Sequence, residues 1–277
     1  MTARCGLVAA GRFTRVSGRR PPGWIAAALA LFMASPAAAE ATLYRGEYAL
    51  SFLGLTLARA NFDSRIDSQT YAIEGSVKSA GLGAIFDDTK GTLSAVGRFS
   101  GKATRPELFR ADYVSGKRAS IVDIRFADGN VTKVTTVPPL KKRGKDWIPL
   151  GPADLMAVAD PIASTLVQAD SLGEVCNGTI KMFDSELRAD LALTYVSKGK
   201  VSVQGYEGDT ITCRMHFKPV SGYRTTKRAL DYLKNKSRIM VAFAPLGKTG
   251  IYAPIHATVS TQIGTITVAA RRFEALQ

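Results

Sequence analysis

Period-two alternation of apolar and polar residues narrows the fold of this sequence more than any other feature. Large apolar side chains fall on alternate positions in 71–79 (Tyr71, Ile73, Val77, with Gly75 between) and in 120–126 (Val122, Ile124, Phe126). That spacing puts them on one face of a strand and the polar residues on the other; a helix would need a period near 3.6. Similar stretches occupy 44–52, 55–66, 87–99 and 107–115 in the first half. In the second half they occupy 131–137, 178–183, 189–196, 201–203, 208–220, 238–244, 251–258 and 264–273. Turn residues separate them: Gly54, Asp67-Ser68-Gln69, and Asp128-Gly129 or Gly129-Asn130 as a hairpin turn. Pro138-Pro139 ends the first series, because proline cannot donate to a ladder.

Few segments depart from this rhythm. The glycines of 80–86 permit a tight bend, and Leu82, Ile85 and Phe86 there are suited to plug one end of a sheet. Asp160-Pro161 reads as a helix N-cap followed by proline at the first helical position, and 162–167 supplies an apolar stripe for packing on a sheet. Shorter helical turns are expected at 153–158 and 226–234. Many strands around one central helix point to a mostly β fold. We expect a single curved antiparallel sheet, an open or spiral β-barrel or roll, with one or two short helices packed on or in it. The pattern leaves open whether the helix expected at 160–168 fills the concavity.

The N-terminus reads as a leader. Residues 1–20 are rich in arginine and free of acids, an apolar run of eleven follows from Trp24 to Ala34, and Ala37-Ala38-Ala39 offers a cleavage site before Glu40. Together these features define a secretory signal peptide over 1–39. The run is shorter than the roughly 20 residues a spanning helix needs. Arg19-Arg20 is followed by Pro21-Pro22-Gly23 rather than an apolar pair, which favours the general export route over the twin-arginine one. No cysteine stands at the cleavage point, so the expected product is periplasmic and not lipid-anchored. Residues 40–277 then form one β-rich domain. Cys5 leaves with the leader, and Cys176 and Cys213 remain as an even pair in an oxidising compartment, the arithmetic of one structural disulfide.

The whole chain carries a net charge of +14. Its leader holds five arginines, and removing them from the 37 basic residues leaves 32 against 23 acids, a net of +9. Such a charge favours anionic partners; in the envelope these are lipid headgroups and cell-wall polymers rather than nucleic acid. Its densest cluster is the proline-flanked loop at about 138–149, where Lys141, Lys142, Arg143 and Lys145 precede Trp147. A solvated charge run is the plain reading; these five residues are also the candidate contacts for a ligand, a partner or a membrane surface. Catalytic chemistry has little to build on. There is no G-x-S-x-G elbow, no phosphate loop and no E-x-x-H pair, so catalytic residues, metal and cofactor are all expected to be none. His216 and His256 lie in alternating strands and read as packed or surface residues, and neighbouring Asp87 and Asp88 point to opposite faces.

Several short stretches, taken in order, resemble the DUF3108 family of Gram-negative envelope proteins. They are 44–57 with its Gly54, the bend Ser79-Ala80-Gly81-Leu82, and Arg105-Pro106 ahead of Tyr113. Asp160-Pro161-Ile162-Ala163 and the two cysteines around Phe183-Asp184 complete the series. The resemblance covers most of 43–273 and implies an exported, β-rich protein; the family brings no established activity. Ser185 stands where that pattern leads one to expect a glycine, which puts a tight turn there in question. A looser likeness, of architecture only, is to the periplasmic lipoprotein carriers, whose curved half-barrel binds acyl chains.

The expected function is a non-enzymatic periplasmic one: support of envelope integrity by binding a lipid, an acyl chain or an anionic component in the curved sheet. The alternatives are a scaffolding partner of an envelope protein complex and a cell-wall hydrolase. A deep apolar cavity favours the first, a filled interior with a flat apolar patch the second, and converging carboxylates in a polar groove the third.

Overall fold

The computed structural model describes residues 41–276, apart from Leu82, Asp87, Lys142 and the side chains of Ile85 and Phe86. The leader expected over 1–39 and the side chains expected to plug the 80–86 bend lie outside the described residues. The first seven strands run in series: β1 (Thr42–Phe52), β2 (Leu55–Ile66), β3 (Thr70–Ser79), β4 (Thr89–Ser100), β5 (Ala103–Ser115), β6 (Arg118–Ala127) and β7 (Asn130–Val137), with the one-turn α1 (Gly83–Phe86) between β3 and β4. A connection holding the two-residue strands β8 (Trp147–Ile148) and β9 (Val167–Gln168) leads to β10 (Gly178–Phe183), β11 (Arg188–Val203) and β12 (Tyr206–Ser221). Then come β13 (Tyr223–Arg224), α2 (Arg228–Asn235), β14 (Ile239–Pro245), β15 (Ile251–Thr261) and β16 (Gly264–Leu276).

The alternating segments form one antiparallel sheet in the order β10-β11-β12-β14-β15-β16-β1-β2-β3-β4-β5-β6-β7, with β9 added to β15 and a separate β8–β13 pair. β1 pairs with both β2 and β16, so the first and last strands meet in the middle of the sheet. The sheet is not closed: its path ends at β10 on one side and β7 on the other. An open curved sheet still has an apolar inner face to cover, and the connection after β7 covers it.

That connection joins the two free edges at one end. The Ala157 N–H donates to Asn130 Oδ1 at 2.9 Å and the Val158 N–H to the Gly129 carbonyl at 2.9 Å. The Ala159 N–H then donates to Lys181 O at 2.7 Å, and Ala159 O accepts from the Phe183 N–H at 2.9 Å. From there the chain runs through the interior. Val158, Ala159, Ala163 and Leu166 are buried in one core cluster with Tyr71, Ile124, Phe183 and Phe273, and Ala169, Val175 and Cys176 are buried in a second with Ile211, Cys213, Val241 and Phe243.

The segment that crosses is not the helix expected at 160–168. It makes a single 3-10 turn, Ala163–Thr165, and then extends into β9. The start is as expected: Asp160 Oδ1 accepts the N–H of Ile162 at 2.8 Å and of Ala163 at 2.9 Å. Propagation fails because Ser164 and Thr165 donate back to the Pro161 and Ile162 carbonyls, at 2.8 Å each, and because β9 pairing with Ile251 and Tyr252 gives the backbone a competing partner. Of the shorter helical turns, 152–155 is 3-10 and α2 falls close to its expected place. β5 begins at Ala103 and carries Arg105-Pro106 inside it, accommodated by a bulge in β5 itself, where Glu107 is the extra residue opposite Val96/Gly97. The segments expected as 189–196 and 201–203 form one bent strand, β11, with a register shift between Tyr195 and Ser197. The turn at Asp184-Ser185 forms without glycine: Ser185 takes φ 93°, and Asp184 Oδ1 holds the Glu186 and Leu187 N–H groups at 3.0 and 2.7 Å.

Cys176 and Cys213 are bonded, with Cα atoms 5.4 Å apart, which ties the end of the crossing segment to the inner face of β12. Closing this 37-residue separation removes denatured-state entropy worth about 3–4 kcal/mol. The double substitution Cys176→Ala/Cys213→Ala is expected to lower the free energy of unfolding in urea by that amount and to raise the m-value, because the unbridged denatured chain exposes more surface. A midpoint equal to wild type would show that the crossing segment needs no such tie.

Candidate functional site

Within the interior the crossing segment leaves an apolar cavity of about 300 Å³. Its walls follow from the alternation. β1 presents Tyr44, Gly46, Tyr48 and Leu50; β2 presents Ala58, Ala60, Phe62, Ser64 and Ile66; β3 adds Ile73 and Val77. Ile162 and Leu166 of the crossing segment and Leu246, Val268 and Phe273 of the far wall complete it. The space exists because three inward positions of β2 carry the small residues Ala58, Ala60 and Ser64. Phe62, the large one between them, is seated between glycines: Gly46 faces it on β1 and Gly75 on β3. A Cβ at Gly75 would come within 2.8 Å of the Phe62 ring, and one at Gly46 within 2.8 Å of the Tyr48 ring. Tyr48 and Phe62 pack edge to face, 5.7 Å between centroids.

Arg45, Arg59, Ser64, Thr165 and Glu274 also border this cavity; Arg45 is paired with Asp63, Glu274 with Arg272, and Thr165 donates to the Ile162 carbonyl. The Tyr48 hydroxyl donates to Pro254 O at 2.8 Å, and burial raises its pKa well above the ordinary tyrosine value. Behind Ile162 lies Asp160, wholly buried. Its Oδ1 caps the turn, while Oδ2 has no hydrogen-bond partner among the described residues, and neither has the hydroxyl of buried Tyr71. Burial raises the Asp160 pKa to about 6, opposed by the Ala163 and Ile162 N–H groups.

The basic loop occupies a different place. Lys141 and Lys145 are exposed, and Lys142 lies outside the described residues. Arg143 is half-buried: its Nη2 sits 2.6 Å from Glu186 Oε1 and its guanidinium 4.1 Å from the Trp147 ring centroid. Trp147 pairs with Arg224 in the β8–β13 ladder, and Asp146 accepts from Arg224 Nη1 at 3.1 Å and Thr226 Oγ1 at 2.6 Å. The hydrogen bond from Thr226, with Arg224 adding to it, holds the Asp146 carboxyl below its ordinary pKa. So the loop is not simply a solvated charge run; it is tied to the segment after β12, and one of its charges is neutralised. Lys141, Arg143 and Trp147 line a cleft of about 700 Å³ at the open seam, between β5–β7 and the 184–187 turn; Lys145 does not line it. Arg224 and Lys227 line it too. Sequence reasoning passed over both, although 223–228 (Tyr-Arg-Thr-Thr-Lys-Arg) is itself a basic run.

Leu50 and Phe62 are among the apolar residues of β1 and β2 that reach the cavity, whereas Leu55 is exposed beside the hairpin turn. His216 and His256 are exposed on β12 and β15, and His216 lies 3.2 Å from Thr194 Oγ1. Neither lines the cavity or the seam cleft. No helix among the described residues is long and apolar enough to cross a membrane.

The family model described as "Protein of unknown function (DUF3108)" matches residues 47–271. No curated protein matches the sequence. Among solved structures, a beta-barrel-like protein of domain of unknown function DUF1849 from Brucella abortus superposes with a TM-score of 0.50 at 13% identity, over 87% of this chain and 100% of that one. The hypothetical protein CT021 from Chlamydia trachomatis gives a TM-score of 0.29 at 12% identity, over 84% of this chain and 89% of that one. The first likeness shows the fold.

Asp160 generates a prediction with a definite sign. Its folded-state pKa is raised from 3.8 to about 6. The stability linked to it is therefore fully present below about pH 4 and is lost as the pH rises through about 6. At roughly 1.4 kcal/mol per pKa unit the loss is about 3 kcal/mol. Asp160→Asn keeps an oxygen for the cap and cannot ionise, so the stability of the variant relative to wild type should climb by about that amount between pH 4 and pH 7. Parallel stability curves for the two proteins would contradict the assignment.

Proposed function

The chain belongs to the DUF3108 family, and because that family's description carries no activity, we propose a function from the interior itself: a non-enzymatic, periplasmic carrier or receptor for the aliphatic part of an envelope amphiphile. The observation that carries this reading is the apolar cavity of about 300 Å³ kept between the crossing segment and the β1–β3 wall. Its volume is at the lower end of the roughly 300–1,000 Å³ of small-molecule sites. A void this large forfeits packing that larger residues at Ala58, Ala60 and Ser64 would supply. The sequence holds all three small, and a guest chain would restore the lost contacts.

The polar inventory agrees with binding rather than chemistry. The Tyr48 hydroxyl is engaged with a backbone carbonyl, and the exposed histidines stand away from the cavity. Export rests on the composition of 1–39 and on the disulfide, whose two halves are otherwise deeply buried and would be free thiols in a reducing compartment. The guest is then an envelope molecule, with support of envelope integrity as the physiological role.

Each methylene transferred from water into such a cavity contributes about 0.8 kcal/mol. Affinity for straight-chain fatty acids, measured by displacement of a fluorescent acyl probe, should therefore rise roughly fourfold per methylene until the cavity is full, then level off. Ala60→Leu, which fills space opposite Tyr48, should weaken binding about tenfold or more without lowering the melting temperature. Affinity that ignores chain length, or survives Ala60→Leu, would contradict the reading and favour the scaffolding alternative.

A further inference from the structure

The two ends of the sheet are built from different turn chemistry. At one end the β6–β7 hairpin turns through Asp128-Gly129 with φ of 51° and 76°. Two residues with positive φ make a type I′ turn, for which Asp-Gly is a preferred pair. At the opposite end the β1–β2 hairpin makes the same turn, φ 48° and 82°, but with Leu53-Gly54. Leucine has no side-chain hydrogen bond to offset the left-handed backbone. Nor does this leucine gain burial: Leu53 is 70% exposed. Folding alone gives no reason for it.

Leu53 is not isolated. Leu55, across the same turn, is 52% exposed, and Ile263, in the turn between β15 and β16, is 80% exposed. The two turns are neighbours because β1 lies between β2 and β16: Phe52 pairs with Leu55 on one side and Ile266 on the other. A Cβ at Gly264 would lie 2.9 Å from the Phe52 ring and 3.3 Å from Leu53 Cδ2. Three large aliphatic side chains thus project together from one rim. Leu50, the last β1 residue to line the cavity, is one inward step from Phe52.

Below this rim, on the outer face, three cations stand in register. Arg59 faces Lys78 on β3, and Lys78 faces Lys90 on β4. All three are exposed, and none has a carboxylate partner among the described residues. Like charges directly opposed across strands are unfavourable. Arg59 is four residues from Leu55, about 14 Å along the strand at about 3.4 Å per residue, and an arginine side chain is long enough to snorkel several ångströms toward a headgroup layer. If the aliphatic tips enter roughly 5–10 Å into a bilayer interface, the cationic row comes level with the headgroup phosphates.

We infer that the rim of Leu53, Leu55 and Ile263, with the Arg59–Lys78–Lys90 row beneath it, docks the protein on an anionic lipid surface. The partner is a bilayer whose leaflet carries acidic headgroups. Aliphatic tips alone suit any apolar partner; the unpaired cations at headgroup depth select this one. The surface differs from the 138–149 loop, whose Arg143 is already paired. Docking goes beyond the proposed cavity ligand and is separable from it.

The test uses protein purified in the form the cell delivers after expression of the full chain, and flotation with phosphatidylcholine vesicles with or without phosphatidylglycerol. Wild type should float with the anionic vesicles at low salt and be released as salt rises. Leu53→Ser/Ile263→Ser should lose about tenfold or more in binding, and Lys78→Gln/Lys90→Gln, which leaves the cavity-bordering Arg59 in place, about thirtyfold, with melting temperatures within a few degrees of wild type since every changed residue is exposed. Ala60→Leu should float like wild type, so loss of the acyl ligand and loss of docking read out on different variants. Absence of wild-type flotation at low salt, equal flotation with neutral vesicles, or rim variants that bind like wild type while Lys141→Ser/Lys145→Ser does not, would each overturn the inference.

Discussion

The fold depends on a segment that has almost no regular structure. A curved sheet with two free edges presents an apolar inner face, and nothing in strand pairing closes it. Residues 157–177 do so by running through the concavity, and they are fixed at four points. Backbone bonds tie 157–159 to both edges, the Asp160 carboxylate holds the turn, β9 adds to β15, and Cys176 is bonded to Cys213. A long connection carries backbone polar groups that must be satisfied wherever it is buried. This one meets that demand through its short pairings and turns, and buries side chains as small as Ala159 and Ala163 so that its main chain lies close to the sheet.

The same packing explains why space remains on one side. The second core cluster, around the disulfide, is filled by Val175, Ile211, Val241 and Phe243. Against β1–β3 the crossing segment offers Ile162 and Leu166, but β2 answers with alanines and a serine, and the gap is not closed. The cavity is therefore written into alternate residues of one strand. At the rim beyond Phe52 the usual economy of a surface turn is likewise set aside, with leucine and isoleucine where polar residues would fold at least as well. The proposed aliphatic guest and the proposed lipid surface share chemistry, so the cavity and the rim make one consistent arrangement.

Much of the sheet is legible in the sequence because alternation such as Tyr71, Ile73 and Val122, Ile124, Phe126 depends only on which face meets water. The Asp160 cap is legible for the same local reason. The helix assigned after it is not borne out, because Ser164 and Thr165 bond to their own turn and β9 takes the backbone, a tertiary outcome that no local pattern encodes. Ser185 adopts a left-handed conformation because the Asp184 carboxylate holds the turn from the side. The site was harder to see. Lys141, Arg143 and Trp147 do line one cleft, but Arg224 and Lys227 join them only through the β8–β13 pairing, which brings together residues about 80 positions apart. The cavity could not be read from apolar content, since what makes it is the smallness of Ala58, Ala60 and Ser64 opposite Tyr48 and Phe62, and that needs the register.

The central claim is that an aliphatic guest occupies the cavity beside β1–β3. Native mass spectrometry of the protein purified without detergent tests it most directly. The account predicts a species heavier than the polypeptide by the mass of one amphiphile, reduced to the bare mass by organic extraction and regained on incubation with envelope lipids. A single species at the bare mass, unchanged after that incubation, would contradict it.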